Sequence, residues 1–312
     1  MKWLFLSCLT LTHAYSSIFQ FQSYVTNYQK IYSSEHEYDM RYQIFSQNMK
    51  YIREHNLQNK SWTLDMNEWT DLTWNEFKDI HKKGYVQKPR VIFSYDTNSV
   101  YNSNETLDWR EKGVVNPIKD QGQCGSCWAF SAIASIESAY AITHQSLYDL
   151  SEQQLVDCSS SFGNYGCNGG LMDDAFTYAE TNALCLEKDY PYKAENDACV
   201  LCKGKVSVSS FVDIPPNNEE ALFSAVKQQP ISVAIEADQM DFQFYKSGVF
   251  DGTCGVNLDH GVVIVGYGIE ENQPYWIVRN SWGDSWGENG YIRIARNKNK
   301  CGINLAASYP VV

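Results

Sequence analysis

The 312-residue chain is predicted to be an α+β protein in which a small helical unit precedes a larger, disulfide-bonded body. Three observations predict this. Every cysteine except Cys8 lies beyond residue 120, so the stretch before them is a separate compositional unit. Apolar residues recur at helical spacing over 18–32 and 37–56. Runs rich in β-branched residues crowd the last third, at 206–212, 231–236, 261–267, 275–279 and 291–295, after helical patterns at 127–142, 150–158 and 171–182.

The first 15 residues have the order of a secretory signal peptide: Lys2, an apolar run over 3–11, and Thr12-His13-Ala14 as the cleavage site. That run is too short to cross a bilayer, and no membrane span is expected. The leader implies an oxidising lumen, where disulfides persist. In the helical unit, Ile18, Phe21, Val25, Tyr28 and Tyr32 fall within an arc of about 80°. Glu37, Arg41, Phe45, Asn48, Ile52 and Asn56 fall within about 100° of one helix face. A face mixing those types packs and also makes specific polar contacts. Residues 81–104 turn polar, with Gly84 and Pro89, and read as an exposed linker and cleavage region.

Hydrophobic residues make up 44% of the chain, which excludes a disordered protein. Charge is unevenly divided. Residues 15–101 hold ten Lys/Arg and ten Asp/Glu, whereas 102–312 hold 14 and 27, a net −13. Such a body repels nucleic acid and anionic membranes, so neither is an expected partner.

The chemistry gathers around Cys127. With Cys8 removed, nine cysteines remain, and an odd count in a secreted chain leaves one free thiol. Cys127 opens the Ala-rich helical stretch 127–142, where the helix dipole favours a thiolate. Cys124 and Cys127 also spell C-x-x-C, which admits a redox or zinc pair. Two downstream residues separate these readings. His260 starts one β run and Asn280 ends the next, with the polar stretch 270–273 between them as a hairpin turn. Folding about 271–272 pairs Asn280 near 263 and brings His260 and Asn280 to the same end of adjacent antiparallel strands. An Asn so placed orients an imidazole.

These residues resemble the papain family of cysteine proteases, and within it the cathepsin L-like branch. Cys124-Gly125-Ser126-Cys127-Trp128 has the family's C-G-[SA]-C-[WY] form, with His260 and Asn280 at the spacing the family shows. The face 37–56 matches the ERFNIN propeptide motif at each of its six positions, and Asn67, Trp69 and Asp71 resemble the GxNxFxD motif that follows. Asp65 stands where Gly is usual and Trp69 where Phe is usual. The resemblance covers essentially all of the chain after the leader.

It implies a two-lobed fold, an α-rich and a β-rich lobe with the active-site cleft between them, as a catalytic domain over 102–312. An inhibitory helical propeptide over 16–101 would precede it, its linker crossing the cleft; the net −13 of the body, whose carboxylate-dependent contacts weaken as pH falls, predicts its release by acid. Cys127 would be the nucleophile, His260 its base, Asn280 the orienter, and Gln121 with the Cys127 N–H the oxyanion hole. Trp282 would cover the Asn280–His260 contact and Trp286 line the primed side. Gly169 and Gly170 would bind substrate as an added strand. Leu171, Met172, Ala234 and Gly261, with Ala306 at the base, would line the pocket for the residue two before the cut. No carboxylate stands at the base, so Leu or Phe is preferred over Arg. No insertion blocks the cleft end, as in cathepsin B, and no blocking peptide is retained, as in cathepsin H, so the activity is endopeptidic.

Composition alone leaves 105 pairings of the eight remaining cysteines. The family pattern implies Cys124–Cys167, Cys158–Cys199 and Cys254–Cys301. Cys185 and Cys202 are left over, and a fourth bridge between them is the expectation, in preference to a zinc site at Cys199-x-x-Cys202. No cofactor or metal is implied. Expected partners are peptide and protein substrates, the chain's own propeptide, and cystatin-type inhibitors, with the enzyme monomeric in an acidic lysosome- or vacuole-like compartment or outside the cell. Asn59 and Asn104 head candidate N-glycosylation sequons. The rival readings are a C-x-x-C oxidoreductase and an inactive relative that binds or stores.

Overall fold

The computed structural model describes residues 17–81, 84–86 and 105–312. The expected leader, most of the linker, the boundary at 101/102 and Asn104 lie outside the described residues.

The N-terminal unit begins with helix α1 (17–27) and α2 (Glu35–Asn56). The first is shorter than the apolar spacing over 18–32 predicts. Gln29 takes a left-handed φ of 50° and the Lys30 N–H turns back to the Val25 carbonyl, so Tyr28 and Tyr32 pack from beyond the helix end. Helix α2 starts where Ser34 accepts a hydrogen bond from the Glu37 N–H, while the Glu37 carboxylate accepts from Ser33. Its mixed face does two jobs. Phe45 and Ile52 are buried, Phe45 against Phe21 and Tyr24 at ring separations of 5.2 and 4.9 Å. Asn48 donates to the carbonyls of Thr70 and Leu72, Asn56 both donates to and accepts from the Leu64 backbone, and Arg41 reaches the Asp71 carbonyl and Glu76. The polar half of the face thus satisfies the backbone of the segment that follows.

That segment contains two elements the periodicity does not reveal, β1 (Trp62–Leu64) and α3 (Trp74–His81). Strand β1 is too short for a pattern. It exists because it adds antiparallel to the edge of the sheet in the larger body, on β5 (Tyr245–Phe250).

The body has a helical lobe and a sheet lobe. The helical lobe is α4 (Cys127–His144), α5 (Glu152–Cys158) and α6 (Met172–Thr181). Helix α4 is buried on nearly every side, which explains its weak amphipathicity: it is the lobe's axis. The sheet comprises β2 (Leu107–Asp108), β3 (Ser210–Ile214), β4 (Ile231–Ile235), β5, β6 (His260–Glu270), β7 (Gln273–Arg279), β8 (Tyr291–Ala295) and β9 (Ala307–Val311). With β1 its order is β1-β5-β8-β7-β6-β4-β9-β3, and β2 lies on β6. Strand β3 begins four residues later than the β-branched run at 206 predicts, because its ladder starts only where Ser210 meets Val311 of β9. Val206 makes a single bridge to Leu184.

The lobes meet along α4 and β6. Ser131 donates to the Val262 carbonyl at 2.8 Å, and Ser232 of β4 donates to the Ser131 carbonyl at 3.0 Å. Small hydroxyl residues on α4 let the helix lie close to the strand. The first residue of each, Cys127 and His260, therefore end up at one end of the seam. Among the described residues four disulfides join Cys124–Cys167, Cys158–Cys199, Cys185–Cys202 and Cys254–Cys301, leaving Cys127 free.

Candidate active site

Cys127 is the first residue of α4 and is fully buried. The Gly261 N–H, one residue past His260, points at its sulfur at 3.2 Å. Gly261 allows this approach: a Cβ there would lie 3.2 Å from the Cys127 carbonyl oxygen.

His260 and Asn280 are brought together by the β6–β7 hairpin. Its two turn residues, Glu271 and Asn272, have φ of 49° and 65°, the left-handed values of a tight hairpin turn. Pairing runs evenly from Glu270↔Gln273 to Gly266↔Ile277, then slips by one residue at Val265. The Val265 carbonyl instead accepts from the Trp109 N–H, next to β2. Val263 therefore opposes Arg279, and Asn280 falls opposite 262 rather than near 263 as even folding predicts. The juxtaposition survives the slip. His260 Nε2 and Asn280 Oδ1 lie 2.6 Å apart, and the Trp282 ring stacks on the imidazole at 4.7 Å. His260 Nδ1 is buried and has no hydrogen-bond partner, so it is the ring nitrogen free to take a proton.

Gln121 sits at the end of a segment running under both lobes. Its N–H donates to the Ser281 carbonyl, and its side-chain Oε1 accepts from Ser281 Oγ at 2.7 Å. That second bond fixes which way the amide points. Its Nε2 gives one hydrogen to the Cys124 carbonyl at 2.9 Å, leaving the other. Ser281 is a residue that motif reading passes over, although it stands directly after Asn280.

The site is covered by the N-terminal unit. A Cβ on Gly84 would lie 2.2 Å from Cys127 Sγ, so the linker backbone passes directly over the thiol. Around it, Gly170 N–H donates to the Gly84 carbonyl, Val86 N–H to the Gly170 carbonyl, and Tyr85 N–H to the Asp259 carbonyl. Tyr85 is buried in the same apolar cluster as Leu171, Met172, Ala234 and Ala306. The sequence offers no sign of Tyr85's place, since the linker has no periodicity. On the opposite side of Cys127, Trp69 and Phe77 meet the Trp282 ring edge-on at 5.3 and 5.6 Å. Asn67 donates to the Gln243 carbonyl, and Lys78 pairs with Asp238.

With the N-terminal unit in place Trp286 is 1% exposed, packed against Phe242, Tyr245 and Trp282 with its N–H on the Phe242 carbonyl. Two expectations need correction. Gly169 does not offer its backbone to an incoming strand. Its N–H and carbonyl are used by Gly166 and Tyr165 within its own turn, and only Gly170 is bound. And the cover opposes the thiolate that the helix position of Cys127 favours. Burial pushes its thiol up to about 12, with Asp259's charge adding and the Gly261 N–H opposing, and burial pulls His260 down to about 4 against the Asn280 contact. Under the cover, burial thus disfavours the charged form of both groups.

The chain as a whole has close relatives among known proteins. The profile of papain family cysteine proteases matches residues 103–311, and that of the cathepsin propeptide inhibitor domain matches 21–77. The chain belongs to the papain family. This papain-family protease is 45% identical over 303 residues to cysteine protease XCP2 of Arabidopsis thaliana, covering 93% of this chain and 85% of that one. It is 47% identical to cysteine proteinase RD21A of the same plant, over 88% of this chain, and spans 62% of that protein's length. Among solved structures, digestive procathepsin L 3 of Tenebrio molitor larval midgut superposes with a TM-score of 0.86 at 40% identity, covering 95% of this chain and 99% of that one. Recombinant stem bromelain precursor gives 0.86 at 39% identity with the same coverage. The protease is thus a two-lobed cysteine endopeptidase with its inhibitory propeptide in place.

Proposed function

We propose that the enzyme is a lumenal or secreted endopeptidase that cuts after a residue preceded by Leu or Phe, and that acid releases its propeptide. The observation that carries the catalytic roles is the His260–Asn280 contact beside the free Cys127 thiol. Once the cover leaves and water returns to the cleft, the Cys127 proton moves to His260 Nδ1. The thiolate attacks the peptide carbonyl, whose oxygen gathers charge facing Gln121 Nε2 and the Cys127 N–H. His260 then returns its proton to the leaving amine, and water hydrolyses the thioester with His260 as base. Losing one oxyanion donor is worth about 2.7–4 kcal/mol.

Tyr85 supports the pocket assignment. An aromatic side chain already fills the cluster of Leu171, Met172, Ala234 and Ala306, and a cation would be unpaired there. Gly170 supplies the backbone pairing for substrate, as it does for Gly84 and Val86. Four disulfides favour an oxidising compartment. Asn59 is exposed in the loop before β1 and is accessible for a glycan.

The test brings purified precursor to mildly acidic pH with a reductant, following intact mass and hydrolysis of a fluorogenic peptide with Leu two residues before the cut. Wild type should shed the propeptide and gain activity, and Cys127→Ser should show no activity. An inactive wild type, after the propeptide is removed by another protease, overturns the reading.

A further inference from the structure

Arg279 is the last residue of β7, adjacent to Asn280, and its side chain is buried, with the residue 6% exposed. It faces neither substrate nor the thiol. Its guanidinium donates from Nη1 to the Asn116 carbonyl and from Nη2 to the Pro117 carbonyl, the latter at 2.6 Å. Those residues begin the segment that ends at Gln121. Further along it, Gly283 N–H donates to the Lys119 carbonyl and Gln121 N–H to the Ser281 carbonyl. Towards the helical lobe the same segment is held by Asn116 Nδ2 on the Tyr148 carbonyl and by the Lys119 ammonium on the Leu150 carbonyl and the buried Glu152 carboxylate. Lys119, Glu152, Arg279, Asn280 and Ser281 surround one small cavity of about 10 Å³. The amide facing the developing oxyanion and the amide orienting the imidazole thus hang from neighbouring points of one construction.

We infer that Arg279 is a positioning residue for the hydrolysis: by gripping two successive carbonyls at 116 and 117 it sets Gln121 against the Cys127–His260 pair. The inference rests on the proposed oxyanion role of Gln121. Arginine suits the task because its planar fork presents two parallel N–H groups at a fixed spacing, which a lysine ammonium lacks. Asn116 is half-buried and Pro117 exposed, so the grip fixes the geometry of the two carbonyls rather than rescuing them from burial. With Arg279 removed, residues 116 and 117 lose their tie to β7, while Gln121 keeps its bonds to Ser281 and Cys124 and from the Tyr192 hydroxyl, and Lys119 keeps its own anchors.

Two probes separate this from general loosening. Alkylation of Cys127 by iodoacetamide displaces iodide and forms no oxyanion, so its rate reports the thiolate–imidazolium pair alone. A peptide aldehyde with Leu in the second position adds the thiol across its carbonyl, forming the S–C bond and placing the new oxygen in the hole, so its affinity reports Gln121. Activated wild type, Arg279→Met and Arg279→Lys are compared. In Arg279→Met, kcat and aldehyde affinity should fall about tenfold, with KM and alkylation rate within about twofold of wild type. Arg279→Lys should recover part of the loss. Alkylation falling in step with aldehyde affinity, or aldehyde affinity unchanged, overturns the inference. If Arg279→Met does not fold, Arg279→Lys is decisive alone: lowered aldehyde affinity at a constant alkylation rate sustains the inference, and unchanged affinity ends it. Failure of the protease reading itself looks different, since wild type would then cleave nothing.

Discussion

Gly84 is held so close to Cys127 that a side chain on it would collide with the sulfur: the added Cβ would lie 2.2 Å from Sγ. The cover works because the linker presents bare backbone to the thiol while Tyr85 fills the apolar cluster beside it. Gly84→Val should push the strand off. Overpacking of this kind costs about 1–3 kcal/mol, about 5- to 150-fold more uncovered enzyme. Titrating the thiol of uncut precursor at neutral pH checks it, and a variant as silent as wild type would show that the strand accommodates a side chain.

Acid should loosen the propeptide through Glu76. Burial raises its carboxyl, but hydrogen bonds from Arg41 and Thr73 outweigh that and hold it below the ordinary glutamate value. A depressed carboxyl adds stability above its unfolded pKa, and that stability is lost as pH falls through the folded one. Glu76→Gln should make precursor processing less steep in pH below about 4.5, the ordinary value. A processing profile superposable on wild type removes Glu76 from the account.

Asp259 works in the opposite direction. Burial, with the nearby charges of Asp238 and Glu236, pushes its carboxyl up to about 7, against the Ala237 N–H it accepts. Its charged form opposes the folded precursor, fully so above about pH 7 and less as pH falls towards 4. Asp259→Asn should therefore raise the precursor's melting temperature at pH 8 and change it little at pH 4. Equal shifts at both would mean that the charge is not the cause.

The Cys185–Cys202 bridge spans 17 residues and fastens the segment after α6 to the loop bearing the exposed Val200 and Leu201. Replacing both cysteines by Ser should cost about 2–4 kcal/mol. Peptide hydrolysis by the activated enzyme should persist, because neither residue touches the cleft. Calorimetry alongside kcat reads both.

Ala306, 1% exposed within the cluster that buries Tyr85, is the place where one carboxylate should change substrate choice. Ala306→Glu should lower kcat/KM for Leu two residues before the cut and raise it for Arg. A paired buried charge is tolerable where a lone one costs several kcal/mol. Paired peptides differing only at that position decide it, and an unchanged ratio would move the pocket elsewhere.

Local chemistry was legible from residue order alone. The reactive thiol, the imidazole and its amide partner, the polar and apolar duties of helix α2 and the α-then-β order of the body follow from spacing, because helix period and hairpin turn are short-range rules. The Asn48 and Asn56 side chains make the polar contacts that their face implies.

Contacts made at a distance were not legible. Strand β1 has no pattern of its own and exists because β5 offers an edge. The register slips at Val265, whose carbonyl accepts from the distant Trp109 N–H. The protonation of Cys127 reverses between what its helix position favours and what its burial imposes. Residue order determined which groups could do this chemistry and roughly where they would stand. Tertiary structure alone decided that Gly84 lies over the sulfur, that Tyr85 joins the apolar cluster beside it and that Arg279 grips residues 116 and 117. Desolvation and close approach depend on which distant segments share a space, and no local period encodes that.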